Sequence, residues 1–201
     1  MDNSKILEIG RKVIKDEREV LKKLEKNLQE NFILAAKLIS ELKGRLIITG
    51  IGKNGHIAKK MAATFASVGI PSFFVHSTEA VHGDLGMLKS EDMVIAVSNS
   101  GETREVIILL PILKSRGIKV ISLTGKVNST LGKNSDITLG LFCDKEACPF
   151  NLAPTSSSTA TLVLGDALAL TASQIKGFTK ADYALNHPGG SLGKKVRGMV
   201  K

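Results

Sequence analysis

The sequence predicts an α/β protein with one doubly wound, five-stranded parallel sheet, preceded by an amino-terminal helical extension. Three observations carry that expectation. Over residues 44–175, short β-branched runs alternate with helical stretches, the pattern of strands joined by helical crossovers. Before them, apolar residues recur at helical spacing for almost forty positions. The chain has 201 residues, 43% of them apolar and 23% charged, which suits one large domain with an added helical segment.

Ile6, Ile9, Val13, Val20, Leu24, Leu28, Phe32, Ala35, Ile39 and Leu42 mark one face of a long helix, or of two in succession, with Glu and Lys on the other face. Residues 1–43 are therefore read as a helical segment and 44–201 as the α/β domain. A stripe that long needs a surface to cover it, either the sheet or another subunit. Strand Leu46–Thr49 comes next, then a helix from Gly55 to Val68, strand Ser72–Val75 and a short helix near Glu79–Gly83. Strand Met93–Val97, a helix from Thr103 to Arg116, strand Val120–Leu123 and a brief helix near Ser129–Asn134 follow. Strand Ile137–Phe142 and a long helix over Thr155–Ile175 complete the expected order.

Composition narrows the function. No run approaches 18 apolar residues, so no transmembrane helix is expected. The amino terminus leads into a charged helix instead of an apolar leader, so cytoplasm is the default, and the two cysteines (Cys143, Cys148) form no metal or redox pattern. The net charge of +9 invites a nucleic-acid reading. Residues 1–43 nearly balance, with ten Lys/Arg against eight Asp/Glu, while 176–201 carry six against Asp182 alone. The excess thus sits mostly in a tail, with no aromatic-interleaved basic face, and an anionic small substrate is favoured over nucleic acid.

In a doubly wound sheet ligands bind at the carboxyl ends of the strands, so the loops to inspect are 50–56, 76–86, 98–104, 124–128 and 143–155. Gly50, Gly52 and Gly55 match dinucleotide-binding spacing, but the second strand ends Phe73-Phe74-Val75-His76-Ser77 without an acid for a ribose, and Lys53 puts a cation in the loop. A dinucleotide is disfavoured. Ser98-Asn99-Ser100-Gly101-Glu102-Thr103 offers three hydroxyls and a glycine before a helix amino terminus, where one cap would need a single hydroxyl. A monophosphate cradle is the favoured reading. Glu105 stands near the start of that helix, and composition does not choose between a ligand contact and a solvated acid. The hydroxyl cluster Thr155–Thr159 is open between a cap and a further substrate contact. Of His56, His76, His82 and His187, only two share a loop, so no catalytic metal follows.

The runs Gly50–His56, Glu79–Gly86, Ser98–Glu102, Lys145–Pro149, Leu152–Thr161 and His187–Gly193 resemble the sugar isomerase (SIS) domain, and within it the D-arabinose 5-phosphate isomerases. The likeness spans about residues 30–195, its segments in family order. It implies an SIS fold and interconversion of D-ribulose 5-phosphate and D-arabinose 5-phosphate, which supplies the lipopolysaccharide sugar Kdo. It implies Lys53, Glu105, Glu146 and His187 as catalytic residues. Substrate contacts are implied at Gly69, Ile70, His76 and His82, with an inhibitory zinc contact at His76; Gly52, Ser98, Ser100 and Thr103 join them as expected contacts. It also implies a homotetramer. Many members carry CBS repeats after this domain; the chain ends where they would begin, so regulation through them is expected to be absent.

Isomerisation through an enediol needs a base facing carbon, a donor or cation at the oxygens, a phosphate anchor and a pair that opens the furanose ring. Two Glu, one His and one Lys suffice, and no cofactor is expected. Glu146 or Glu105 is the expected base, His187 the ring opener, and Lys53 the partner of the oxyanion or the phosphate. Two other readings stay open: a sugar-phosphate sensor, which would need a DNA-binding segment of about 70 residues where about 43 precede the first strand, and another isomerase of the hexulose 6-phosphate type.

Overall fold

A computed structural model describes residues 1–189 and Gly198. Five parallel strands form one sheet: β1 (Leu46–Gly50), β2 (Ser72–His76), β3 (Met93–Val97), β4 (Lys119–Thr124) and β5 (Ile137–Gly140), in the order β2-β1-β3-β4-β5. Thr49 is level with Val75 on one side of β1 and with Ala96 on the other. The chain passes from β1 out to β2 on one side, then crosses back over β1 to β3 on the other, and the crevice of this order opens beyond the carboxyl ends of β1 and β3.

Both faces are covered, which is why β3 reads as an unbroken apolar run and β1 as one interrupted only by Thr49, both buried throughout. Leu46, Ile48, Ile95, Ile121 and Leu123 meet one helical layer, α2 (Glu30–Ser40), α3 (Lys53–Ser67) and α8 (Ser156–Ile175). Ile47, Val94, Ala96 and Val120 alternate onto the other face, under α4 (Ser77–Val81), α5 (Arg104–Ile107), α6 (Leu109–Ser115) and α7 (Thr130–Lys133). The amino-terminal helix is α1 (Asn3–Lys26), and α9 (Lys180–Asn186) follows α8.

The amino-terminal stripe forms two helices, parted at Asn27–Gln29. The second half of α1 buries Val20 and Leu24 in the main core, but Ile6, Leu7, Ile9 and Ile14 stay exposed in one chain. The helix expected over Thr103–Arg116 is split in two at Ile108, because Pro111 has no N–H to give the Ile107 carbonyl four residues back. β5 ends two residues before the expected Phe142, where the backbone turns left-handed (φ 52°). Helix α9 was not expected. Its signal was present as a capping box, with Thr179 Oγ1 accepting from Asp182 N–H and Asp182 accepting from Thr179 N–H.

Helices α3 and α8 run side by side in the same direction. Lys60 pairs with Asp166 at 2.6 Å, Met61 fills the space over Gly165, and Ser173 Oγ donates to the Val68 carbonyl at 2.8 Å. Both amino termini therefore lie at the carboxyl edge of the sheet. At the amino edge, Arg45 and Asp92 clamp the starts of β1 and β3. Asp92 accepts from Arg45 N–H (2.7 Å), Nε (3.3 Å) and Nη2 (2.8 Å) and from Lys89 N–H (2.9 Å). No helix among the described residues is long and apolar enough to cross a membrane. Lys194, Lys195, Arg197 and Lys201, expected to be solvated, lie outside the described residues.

Candidate active site

The loop after β1 turns through Gly52 at φ 58°, the cap of α3, and sets Lys53 as the first residue of that helix. The turn is tight: a Cβ at Gly50 would press on the Asn54 backbone and the Val97 carbonyl at 3.2–3.3 Å. Lys53 is exposed, and its ammonium is paired with no described residue. On the neighbouring strand His76 lies level with Gly50 and caps α4 through Nδ1, which accepts from Thr78 N–H at 3.3 Å. The proton of a neutral His76 ring is thereby placed on Nε2, free to donate to a ligand. His82 follows at the end of α4, exposed.

Across the crevice, after β3, the hydroxyls divide their work. Ser98 is buried; its Oγ accepts from Gly101 N–H at 3.1 Å and bonds Thr103 Oγ1 at 2.7 Å. It is a pillar of the turn. Ser100 is exposed and accepts from Glu102 N–H at 3.2 Å, leaving its own proton for a ligand. Gly101 sits at φ 67° with Ser129 packed against its α-carbon, so the loop admits no side chain there. Glu102 does not serve its own helix. It accepts from Thr130 N–H at 2.8 Å at the start of α7, and that bond holds its carboxyl below the usual range. Glu105 is exposed in the first turn of α5, its carboxylate bonded to no described residue.

The loop after β5 meets the hydroxyl cluster Thr155–Thr159. Glu146 folds back onto the amino terminus of α8, where Thr155 and Ser157 donate to its carboxylate. Oε2 accepts from Thr155 N–H (2.8 Å), Ser157 N–H (3.1 Å) and Thr155 Oγ1 (3.2 Å), and Oε1 accepts a short bond from Ser157 Oγ. Burial pushes the Glu146 carboxyl up, but these bonds outweigh it and leave it lowered, hence ionised at neutral pH. The helix dipole favours the same charge. Nearby Cys143 is pushed up to about 11, by burial first and then by the Glu146 charge.

Three expected residues stand elsewhere in the chain. Gly69 and Ile70 precede β2 at the amino edge, Gly69 at φ 87° beneath the Phe178 ring and Ile70 fully buried. His187 ends α9 at the same edge, where Asn186 Nδ2 reaches the Ser67 carbonyl. A five-residue strand spans about 16 Å, so a ligand in the crevice lies out of hydrogen-bond reach of His187 in the same chain. His187 stacks on Tyr183 at 3.9 Å, and its Nδ1–H donates to the Tyr183 carbonyl at 2.9 Å. Its Nε2 is the basic nitrogen of the neutral ring. Sequence reading missed Ser157 and Thr155 as partners of Glu146; the Ser/Thr run marked the position without showing what it holds. Among the described residues no three His, Cys, Asp or Glu side chains converge as a metal cluster would require. His76 offers a metal Nε2 alone.

A tight glycine turn, a lysine and a histidine at the switch point of a five-stranded parallel sheet define an α/β domain with a polar crevice at the carboxyl ends of its strands. The chain belongs to the SIS domain family, whose model matches residues 38–171. It is 51% identical to an arabinose 5-phosphate isomerase of Shigella flexneri over 187 residues, 93% of this chain, and 55% identical to one of Francisella tularensis over 183 residues, 90% of this chain. The chain spans a little over half the length of these relatives, 57% and 56%. Among solved structures it is similar to c3406 of E. coli CFT073 in complex with arabinose 5-phosphate, 43% identical with a TM-score of 0.90, over 94% of this chain and 100% of that one.

Proposed function

We propose that this chain is an aldose–ketose isomerase that interconverts D-ribulose 5-phosphate and D-arabinose 5-phosphate through an enediol, in the supply of Kdo precursor. The observation that carries the reading is the convergence of Lys53, His76 and the Ser98–Thr103 turn on one crevice, in a family whose matched relatives bear this activity's name.

In this mechanism Ser100 and Thr103 hold the phosphate. Ser98 keeps Thr103 in place, and if Ser98 Oγ–H donates to Thr103 Oγ1, the Thr103 proton faces the ligand. The anchored phosphate orients the sugar, the remote binding energy that positions carbons 1 and 2. Lys53 stabilises charge on the carbonyl oxygen and His76 Nε2–H donates to a sugar oxygen. Glu146 and Glu105 are the carboxylates available for proton transfer, which typically supplies about 10²–10⁴-fold.

His187 opens the furanose ring in the site of a neighbouring subunit, since its Nε2 cannot reach its own crevice. Gly69 lies at the same boundary, while Ile70 packs in the core beneath it. The exposed apolar residues of α1 favour such an assembly, a homotetramer in the cytoplasm. The test is isomerisation in D₂O, with deuterium followed at carbon 2 of the arabinose 5-phosphate formed. Exchange with solvent is expected of an enediol; full retention of hydrogen rejects it.

A further inference from the structure

Ser157 touches both oxygens of Glu146. Its backbone N–H reaches Oε2 at 3.1 Å, and its hydroxyl makes the short bond to Oε1. A residue that grips both oxygens fixes the rotation of the carboxylate plane as well as its place. The two oxygens are unequally used. Oε2 takes three donors, two from Thr155 and one from Ser157, while Oε1 takes one. A carboxylate has about four lone-pair positions, two per oxygen. Oε2 is therefore saturated, and Oε1 keeps one lone pair.

Other bonds brace the arrangement. Ala147 N–H donates to Thr155 Oγ1 at 3.0 Å and to Ser156 Oγ at 3.1 Å, and Glu146 N–H donates to Asn151 Oδ1 at 2.8 Å. Glu105, by contrast, is exposed without such a frame. From this asymmetry we propose that Ser157, with Thr155 beside it, is a positioning residue that fixes Oε1 of Glu146 as the oxygen taking the carbon-bound proton of the substrate. This rests on the isomerase reading and assigns the carbon base within it.

In the step, a C–H bond at carbon 1 of the ketose breaks and its proton joins Oε1. The released electron pair forms the C1–C2 double bond, and the carbonyl π pair moves to the oxygen on carbon 2, which takes a proton from a cationic donor such as Lys53. The proton on Oε1 exchanges with solvent while the enediol stands; protonation of carbon 2 from Oε1, with loss of the hydroxyl proton on carbon 1, then gives the aldose. No net oxidation or reduction occurs.

Among the described residues, charged and titratable groups around this corner are few. Cys143, Asp144, Lys145 and Cys148 lie on the same loop. From α1, Lys23 pairs with Asp144 at 2.6 Å, and Glu17 accepts from Thr159 Oγ1 at 2.8 Å on α8. Loss of the Ser157 hydroxyl leaves burial less opposed at Glu146, so its carboxyl rises. A base must be ionised to act, so the acid limb of the kcat/KM–pH profile moves to higher pH.

The experiment measures that profile for the full chain as wild type, Glu146→Gln, Ser157→Ala and Ser157→Thr, with thermal melts to confirm folding. Ser157→Ala is expected to lower kcat about 10-fold or more with little change in KM. Its acid limb should rise by about one to two pH units, the size of one hydrogen bond to a charged group. Ser157→Thr, which keeps the hydroxyl, should restore the limb. If the alanine variant does not fold, Ser157→Cys keeps the volume with a weaker donor and is read by the same shift. An unmoved limb in a folded variant overturns the proposal, whether or not kcat falls. Undiminished turnover by Glu146→Gln overturns it too; a wild-type chain without turnover instead removes the isomerase reading beneath it.

Discussion

Gly101 offers a perturbation whose size can be worked from geometry. It sits at φ 67°, and an added Cβ would overlap Ser129 Oγ and Cβ and come within 3.0 Å of Thr124 Oγ1. Gly117, at the turn between α6 and β4, has nearly the same backbone (φ 72°) and nothing within 4 Å of such a Cβ. Left-handed backbone costs an alanine about 1–2 kcal/mol, partly offset by about 0.4–1 kcal/mol from the stiffer unfolded chain. Gly117→Ala should therefore lose at most about 1.6 kcal/mol. Gly101→Ala adds overpacking of about 1–3 kcal/mol to that same cost. At about 2–4 °C per kcal/mol for a chain this size, its melting temperature should fall about 2–12 °C further than that of Gly117→Ala. The loop must also shift, because Ser129 is fixed as the cap of α7 and Gly101 N–H is tied to Ser98 Oγ. Loss of one charge-assisted bond to phosphate weakens substrate about 10–150-fold, read as KM and as competition by inorganic phosphate. Equal melts for the two variants, with an unchanged KM for Gly101→Ala, would refute the packing argument and the phosphate role together.

Glu105→Gln and Glu146→Gln should each lower kcat by at least about 10²-fold in the isomerase assay, with folded far-ultraviolet spectra, since each removes a positioned acid or base. Ser100→Ala should raise KM about 10–150-fold with kcat little changed, in the same assay run with and without phosphate. Asp92→Asn should cost about 2–3 kcal/mol at neutral pH, seen in urea titration, because charged bonds to Arg45 are lost. Burial raises the Asp92 carboxyl, but its bonds from Arg45 and Lys89 bring it below its ordinary value. Its contribution is thus present above the ordinary carboxylate pKa and disappears as pH falls through the lowered one, so the two proteins should converge in stability only below the ordinary carboxylate range.

The sheet was legible because each strand is a short, β-branched and mostly apolar run between turn residues, and in Met93–Val97 burial on both faces leaves no polar position to blur it. The crevice was legible because its parts are local: Gly52 and Lys53 in one loop, Ser98–Thr103 in another. What the sequence hid is long-range. Glu102 looks like a first-turn acid of its own helix, yet it serves α7, 28 residues on. Glu146 and Ser157 are eleven residues apart, and only the fold-back of the loop makes them partners. His187, Gly69 and Ile70 resemble site residues by motif, but strand direction puts them at the far edge, a fact that no local spacing contains. Helix α9 was missed because it buries nothing and its capping box stands without an apolar stripe.

The most direct test of the isomerase assignment is turnover of D-ribulose 5-phosphate, a hexulose 6-phosphate and glucosamine 6-phosphate under one set of conditions. Ribulose 5-phosphate should be converted to arabinose 5-phosphate, with kcat/KM for the six-carbon substrates lower by about 10-fold or more, the reach of discrimination on one extra carbon unit. Turnover of a six-carbon phosphate with none of ribulose 5-phosphate, or binding of sugar phosphates without any turnover, would contradict it.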